Sequence, residues 1–288
     1  MMITPLTRHT MVFADDIQMG DINLKQPLPT RKLTHADPFL LLHHVGPLDQ
    51  QPGESSVLDI GGHPHRGFEP VTFIFKGKVH HRDSRGNDSI INAGGVQWMT
   101  AGMGIVHSES APKEWVEEGG QLELIQLWVN LPSHLKMSQP RYQGFQEEDI
   151  PTIEINNGKS TINVIAGTLM GRKGPVDSVT GIHASTITIK AESELVLDLI
   201  PEHNTVVYQI EGKALINDQE SAAYNLSHFP DHYENISIKA EEYSRFLVVS
   251  GEPINEPVTQ HGPFVMNNQT EILEAMRDYQ MGKMGILI

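Results

Sequence analysis

No cysteine occurs anywhere in the 288-residue chain. That excludes disulfide bonds, thiol nucleophiles and thiolate-held zinc or iron–sulfur clusters together, and it fits a reducing compartment. Basic charge is also scarce, because 21 Lys and Arg stand against 36 Asp and Glu for a net charge of -15. A field of that sign repels a phosphate backbone, so direct binding of nucleic acid is not expected. No apolar run reaches the length needed to span a bilayer. The opening MMITPLTRHTMVFADDIQMG has no basic segment followed by an apolar one, so no signal peptide is read. A cytoplasmic protein without membrane contact is the expectation.

What is present describes a globular chain, with 39% hydrophobic and 20% charged residues. Glycine and proline are spread between short apolar runs. The stretch from Val71 to Asp83 is β-branched and aromatic, broken at Gly77, and it runs into the turn-forming DSRGNDS. INAGGVQWMTAG, GIVHSES and QLELIQLWVNLP follow, each bounded by glycine or proline. Strands at this spacing, with no helical pattern between them, predict an antiparallel barrel or jelly roll. Pro132 to Thr152 is polar and proline-punctuated and reads as a crossover. Beyond it, INVIAGTL, STITIK and ELVLDLIP are strand-like again. FIFKGKV lies over YQIEGKA with Gly77 matching Gly212, which predicts two stacked β-barrels, residues 1–140 and 141–288.

The end of the chain reads differently. Asn268 is placed as an N-cap with Glu271 three residues on. Ile272, Leu273 and Met276 recur at helical spacing before a stop at Gly282. A short C-terminal helix docked on a barrel by that apolar face is expected.

Histidine is the residue in excess, at 15 copies. In GGHPHRGFEP, His63 and His65 stand two apart, and side chains at i and i+2 of a strand share a face. GIVHSES repeats the device with His107 and Glu109. Neighbouring strands facing one barrel interior would gather three imidazoles and one carboxylate, a donor set suited to a first-row divalent metal. Four protein ligands on an octahedral ion leave two positions open, which a purely structural site would not. His43–His44 and His80–His81 alternate sides and read as structural. For Phe68, Trp98 and Met99, core packing is the default reading ahead of a pocket wall.

HPHRGFE, then QWMTAGMGIVHSE, QLWVNLP and GPFVMNNQTEI together resemble the pirin family of bicupins. The resemblance implies an all-β fold of two cupin (jelly-roll) β-barrels with one metal ion in the first barrel. The family's metal is typically iron(II), although Mn, Co, Ni, Cu and Zn compete for such sites. Carried over residue by residue, the implied ligands are His63, His65, His107 and Glu109. In many other cupins the carboxylate comes soon after HxH, which here is Glu69; the resemblance favours Glu109 and leaves Glu69 a supporting role. In the second half, aligning Gly212 with Gly77 puts Asp198 and Ile200 where His63 and His65 stand, and that barrel is expected to lack a metal.

Some pirins resemble quercetin 2,3-dioxygenases, which open the central ring of a flavonol with O2 and release carbon monoxide. The implied substrates are thus a flavonol-like small molecule and O2, with Glu109 as general base. Other pirins imply a non-enzymatic regulator working through a protein partner, such as a transcription factor or metabolic enzyme. The default expectation for assembly is a monomer.

Overall fold

A computed structural model of the protein describes residues 9–230 and 232–287. The first eight residues of the stretch read for a signal peptide therefore lie outside the described residues. Two antiparallel barrels account for most of the chain, each built from a seven-stranded and a four-stranded sheet. In the first, the large sheet runs in the order Arg141–Phe145, Val96–Thr100, Phe68–Lys76, Gly120–Asn130, Phe39–Gln50, Ile22–Leu28 and Asp15–Met19. The small sheet facing it is Asp59–His65, Ile105–Ser110, Lys78–Asp83 and Asp88–Asn92.

The second barrel repeats this order. Its large sheet is Thr10–Phe13, Asn225–Phe229, Asn204–Glu211, Ser244–Gly251, His183–Ile189, Ser160–Ala166 and Thr152–Ile155. Its small sheet is Ser193–Asp198, Asn235–Ala240, Lys213–Ile216 and Gln219–Ala222. Gly77 and Gly212 take the same place, where the chain leaves a large sheet for a small one. Both have positive φ, 78° and 89°, and a Cβ would strike the carbonyl of Gln121 at one and of Tyr243 at the other. Only glycine meets both demands without strain.

The chain crosses the boundary expected at residue 140 in three places. Thr10–Phe13, ahead of the first barrel, pairs with Asn225–Phe229 of the second. Arg141–Phe145, ahead of the second barrel, pairs with Val96–Thr100 of the first. The barrels thus exchange edge strands, and each covers a row of backbone groups the other's sheet would leave open. The third crossing is the C-terminal helix, Gln269–Gln280. Ile272, Ala275 and Met276 pack with Phe264, Met266, Met284 and Val106, so the helix sits on the first barrel. Asn268 caps it as expected, its side chain accepting from the Glu271 N–H at 3.1 Å. Leu273 departs from expectation: it is 58% exposed, and Ala275 takes its place on the buried face.

The two large sheets pack back to back. Val71, Phe73, Trp98 and Leu127 of one meet Val206, Tyr208, Leu247 and Val249 of the other in one continuous core. Polar contacts tie the seam. Arg245 donates to both carboxylate oxygens of Glu123 at 3.0 Å, and His44 Nδ1 lies 2.9 Å from the Tyr208 hydroxyl.

Candidate metal centre

His63 and His65 end the strand Asp59–His65, and His107 opposes His63 on Ile105–Ser110. Two residues further on, Glu109 opposes Ile60, so the first strand carries one extra residue at Gly61–Gly62. Such a bulge bends the strand and re-aims the side chain that follows. His63 Nδ1 lies 2.9 Å from the Gly61 carbonyl. The carbonyl can only accept, so Nδ1 carries a proton, which in the neutral ring leaves Nε2 as the atom able to donate to a metal.

One nitrogen from each of His63, His65 and His107 lies within 4.8 Å of the others. Burial holds His65 and His107 well below the ordinary histidine range, and the neighbouring imidazoles add to the effect. Both are therefore neutral at pH 7, the state in which imidazole donates to a metal. Both nitrogens of His65 and Nε2 of His107 are buried without a hydrogen-bond partner. Orphaned buried polar atoms are costly, and a divalent cation held between these rings would satisfy them. The donor set fits.

His81, structural by its sequence pattern alone, belongs beside this cluster. Its Nδ1 lies 3.4 Å from His107 Nδ1, and its Nε2 lies 3.0 Å from Asp83 Oδ2. Burial alone would raise the Asp83 carboxyl, but hydrogen bonds from His81, Asn87 and the Arg85 and Asn87 backbone together hold it below its usual value. The ionised Asp83 accepts a hydrogen bond from the N–H at His81 Nε2. His81 Nδ1 then accepts from His107 Nδ1–H, which leaves His107 Nε2 as the coordinating atom. The i, i+2 spacing of His81 and Asp83 was the available signal.

Glu109 is buried two residues along the strand from His107 but outside the three-histidine cluster. Its carboxylate accepts hydrogen bonds from Thr72 Oγ1 at 3.2 Å, from Gln126 Nε2 at 2.9 Å and from Gln97 Nε2. Glu69 points the other way, sharing its sheet face with the core residues Val71 and Phe73 while Thr72 faces Glu109. Thr100 Oγ1 donates to it at 2.6 Å, yet burial pushes its carboxyl up to about 7. Arg66 is also buried, with Nε donating to the Met103 carbonyl at 2.7 Å and Nη1 to Asp278 of the C-terminal helix at 3.1 Å.

Phe68 and Trp128 wall the cluster, their rings 5.0 and 5.6 Å from His65. Trp98 lies in the core between the barrels, and Met99 packs with Ala101, Ile105 and Tyr142. A narrow space of about 20 Å³ reaches Glu109 between Met19, His43, Leu58 and Ile60. In the second barrel, Ile216 pairs with Ile238 as His81 pairs with Glu109. Counting from there puts Ile236 and Ile238 at the places of His107 and Glu109. His232 and Glu234, which imitate the HSE spacing, are both exposed.

Fold and site together define a bicupin with a candidate metal centre in its first barrel. Residues 21–129 match the Pirin family and residues 184–285 match the Pirin C-terminal cupin domain. The chain belongs to the pirin family. It is 44% identical over 258 residues to Pirin-1 of Arabidopsis thaliana, covering 86% of this chain and 84% of that protein. A Pseudomonas aeruginosa protein provisionally named a quercetin 2,3-dioxygenase is 38% identical over 249 residues, covering 86% and 87%. The crystal structure of a quercetin 2,3-dioxygenase from Acinetobacter baumannii superposes with a TM-score of 0.91 at 36% identity, over 98% of this chain and 99% of that one. These names are consistent with an oxidoreductase. No helix among the described residues is long and apolar enough to cross a membrane.

Proposed function

We propose that the protein is an iron(II)-dependent dioxygenase of quercetin 2,3-dioxygenase type, acting on a flavonol-like substrate and O2. The observation that carries this reading is the cluster of His63, His65 and His107, in which both nitrogens of buried His65 and Nε2 of buried His107 have no hydrogen-bond partner, in a chain whose relatives bear that name. His63, His65 and His107 would hold the metal, and Glu109, two residues along the strand from His107, is the fourth ligand that the family resemblance implies. When bound, the ion supplies a Lewis acid that lowers the pKa of a flavonol 3-hydroxyl, together with redox capacity.

The chain's own residues do the rest. Glu109 takes the proton from the 3-hydroxyl as general base. Gln97, Gln126 and Thr72 hold its carboxylate in place through the transfer. Phe68 and Trp128 offer apolar surface to a flat ring and keep water from it. The space beside Glu109 is far smaller than a flavonol, so substrate entry requires side chains that line it, such as Met19 and Ile60, to move.

That narrowness favours a second reading, a regulator that binds its metal and a protein partner without turning over a flavonol. Oxygen uptake by the iron(II)-loaded protein with quercetin, beside His107→Ala, decides between them. Uptake by the wild type that is lost in the variant supports the dioxygenase. Iron bound at one per chain without uptake overturns it and favours the regulator.

A further inference from the structure

The second barrel is hollow where the first is filled. Its cavity, of about 260 Å³, has His183, Ser185, Thr205 and Ser250 among its polar lining and Ile187, Leu197, Leu199, Ile200 and Val248 among its apolar lining. Strand pairing explains the space. Trp128 pairs with Pro70 on one side and Leu41 on the other; Ser250 pairs with Thr205 and His183 in the same arrangement. Ser250 therefore stands where Trp128 stands. Counting back from Gly77 and Gly212, His203 stands where Phe68 does. In the first barrel the rings of Phe68 and Trp128 pack 4.3 Å apart and fill the end of the barrel. In the second, Ser250 Oγ lies 3.3 Å from His203 Nδ1, and the volume of an indole is missing.

The lining says what would fill it. Thr205 Oγ1 is fully buried with no hydrogen-bond partner, which is costly unless something in the cavity meets it. Ser250 and His183 stand on the neighbouring strands in register with Thr205. The opposite walls are aliphatic. No Lys or Arg lines the space, and Asp198 at its rim opposes an anion. Burial also holds His183 and His203 below the ordinary histidine range, so they bring no positive charge at pH 7.

We propose that the second barrel is a binding site for an uncharged, flat aromatic molecule about the size of an indole or phenol. Its hydroxyl or N–H group meets Thr205 and Ser250, and its ring lies against Leu197, Leu199 and Val248. The site is separate from the metal centre and does not depend on the reading proposed for it. Ligand pockets of this kind, apolar with a few convergent polar groups, commonly occupy barrel interiors.

The test uses the full chain and 4-fluorophenol, followed by fluorine NMR line broadening and competed with phenol and with indole. Saturable binding is expected in the wild type and in His107→Ala, and benzoate, an anion of similar size, is expected not to compete. Thr205→Val keeps the shape and removes the hydroxyl, so binding should weaken by about fivefold, the worth of one hydrogen bond. Ser250→Trp restores the side chain of the first barrel and should abolish binding. The proposal is overturned if the wild type shows no saturable binding, if Thr205→Val binds as tightly as wild type, or if benzoate competes as well as phenol. Because Thr205→Val is nearly isosteric, the test holds even where Ser250→Trp fails to fold.

Discussion

The two barrels share strand order and register, yet the positions that face each interior were filled with opposite chemistry. Where the first has His81, His107 and Glu109, the second has Ile216, Ile236 and Ile238, all fully buried. Where Thr72, Gln97 and Gln126 donate to Glu109 in the first, pairing places Val207, Ser227 and Val248 in the second. The scaffold tolerates either set because the backbone ladders, not the interior side chains, define the barrel. A carboxylate in the interior requires donors around it, whereas an isoleucine requires none. The polar residues of the first barrel therefore come as a group, and at these positions of the second only Ser227 departs from an apolar set.

That coupling can be broken one position at a time. The largest effect is expected from Glu109→Ile, which imports the second barrel's residue without its surroundings. Thr72, Gln97 and Gln126 would lose their acceptor at about 1–3 kcal/mol for each buried group left unpaired, and oxygen uptake with quercetin should disappear. Thermal unfolding and an oxygen electrode read the two consequences. In the converse position, Ile238→Ala should cost about 2–5 kcal/mol in urea denaturation, as for other large-to-small core changes. Metal content should stay unchanged there, since the second-barrel core is remote from the histidines.

Glu69 offers a pH-dependent version. Its carboxyl is raised from 4.5 to about 7 by burial, so the folded chain holds that proton more tightly than the unfolded chain. Its contribution to stability is therefore fully present below pH 4.5 and is lost as pH rises to about 7. The second barrel has the neutral Asn204 at the equivalent place. Glu69→Gln should remove this decline, gaining up to a few kcal/mol relative to wild type at pH 8 and little at pH 4.5. A wild-type melting curve flat across that range would sink the assignment.

Smaller effects follow from the supporting residues. His81→Phe removes the acceptor for His107 Nδ1 and should weaken metal binding by about 10–100-fold, as outer partners of metal-bound histidines do. Calorimetry with Co(II) or Ni(II) measures this without reference to turnover, and unaltered affinity would reduce His81 to packing. At the bottom of the scale, Leu273→Ala on the exposed face of the C-terminal helix should change stability by no more than about 0.5 kcal/mol. Ile272→Ala, one residue away and buried against Met284 and Val106, should cost several times that amount.

Much of this was legible in the chain. The i, i+2 spacing in HPH and HSE, the capping of the last helix by Asn268, and the correspondence of Gly77 with Gly212 are properties of short segments, and local geometry carried each of them into the structure. Leu273 lies outside the contact because helical periodicity gives a face without saying how wide the contact is; the small Ala275 lies where the helix meets the barrel. His81 reads as structural because a pair of adjacent histidines has no distinctive pattern; its i, i+2 spacing to Asp83 gains meaning only beside His107.

By itself the sequence determined the strand-rich class, the duplicated halves and the residues whose chemistry suits a metal. Period, turn chemistry and donor type reside in a few neighbouring residues. Tertiary structure alone decided that the barrels exchange edge strands, that the last helix docks on the first barrel, and that Glu69 faces the seam. It alone set His81 against His107 and left a hollow beside Ser250. Each of these depends on which residues distant in sequence come to face one another, a matter settled by sheet pairing and core packing over separations of tens to hundreds of residues.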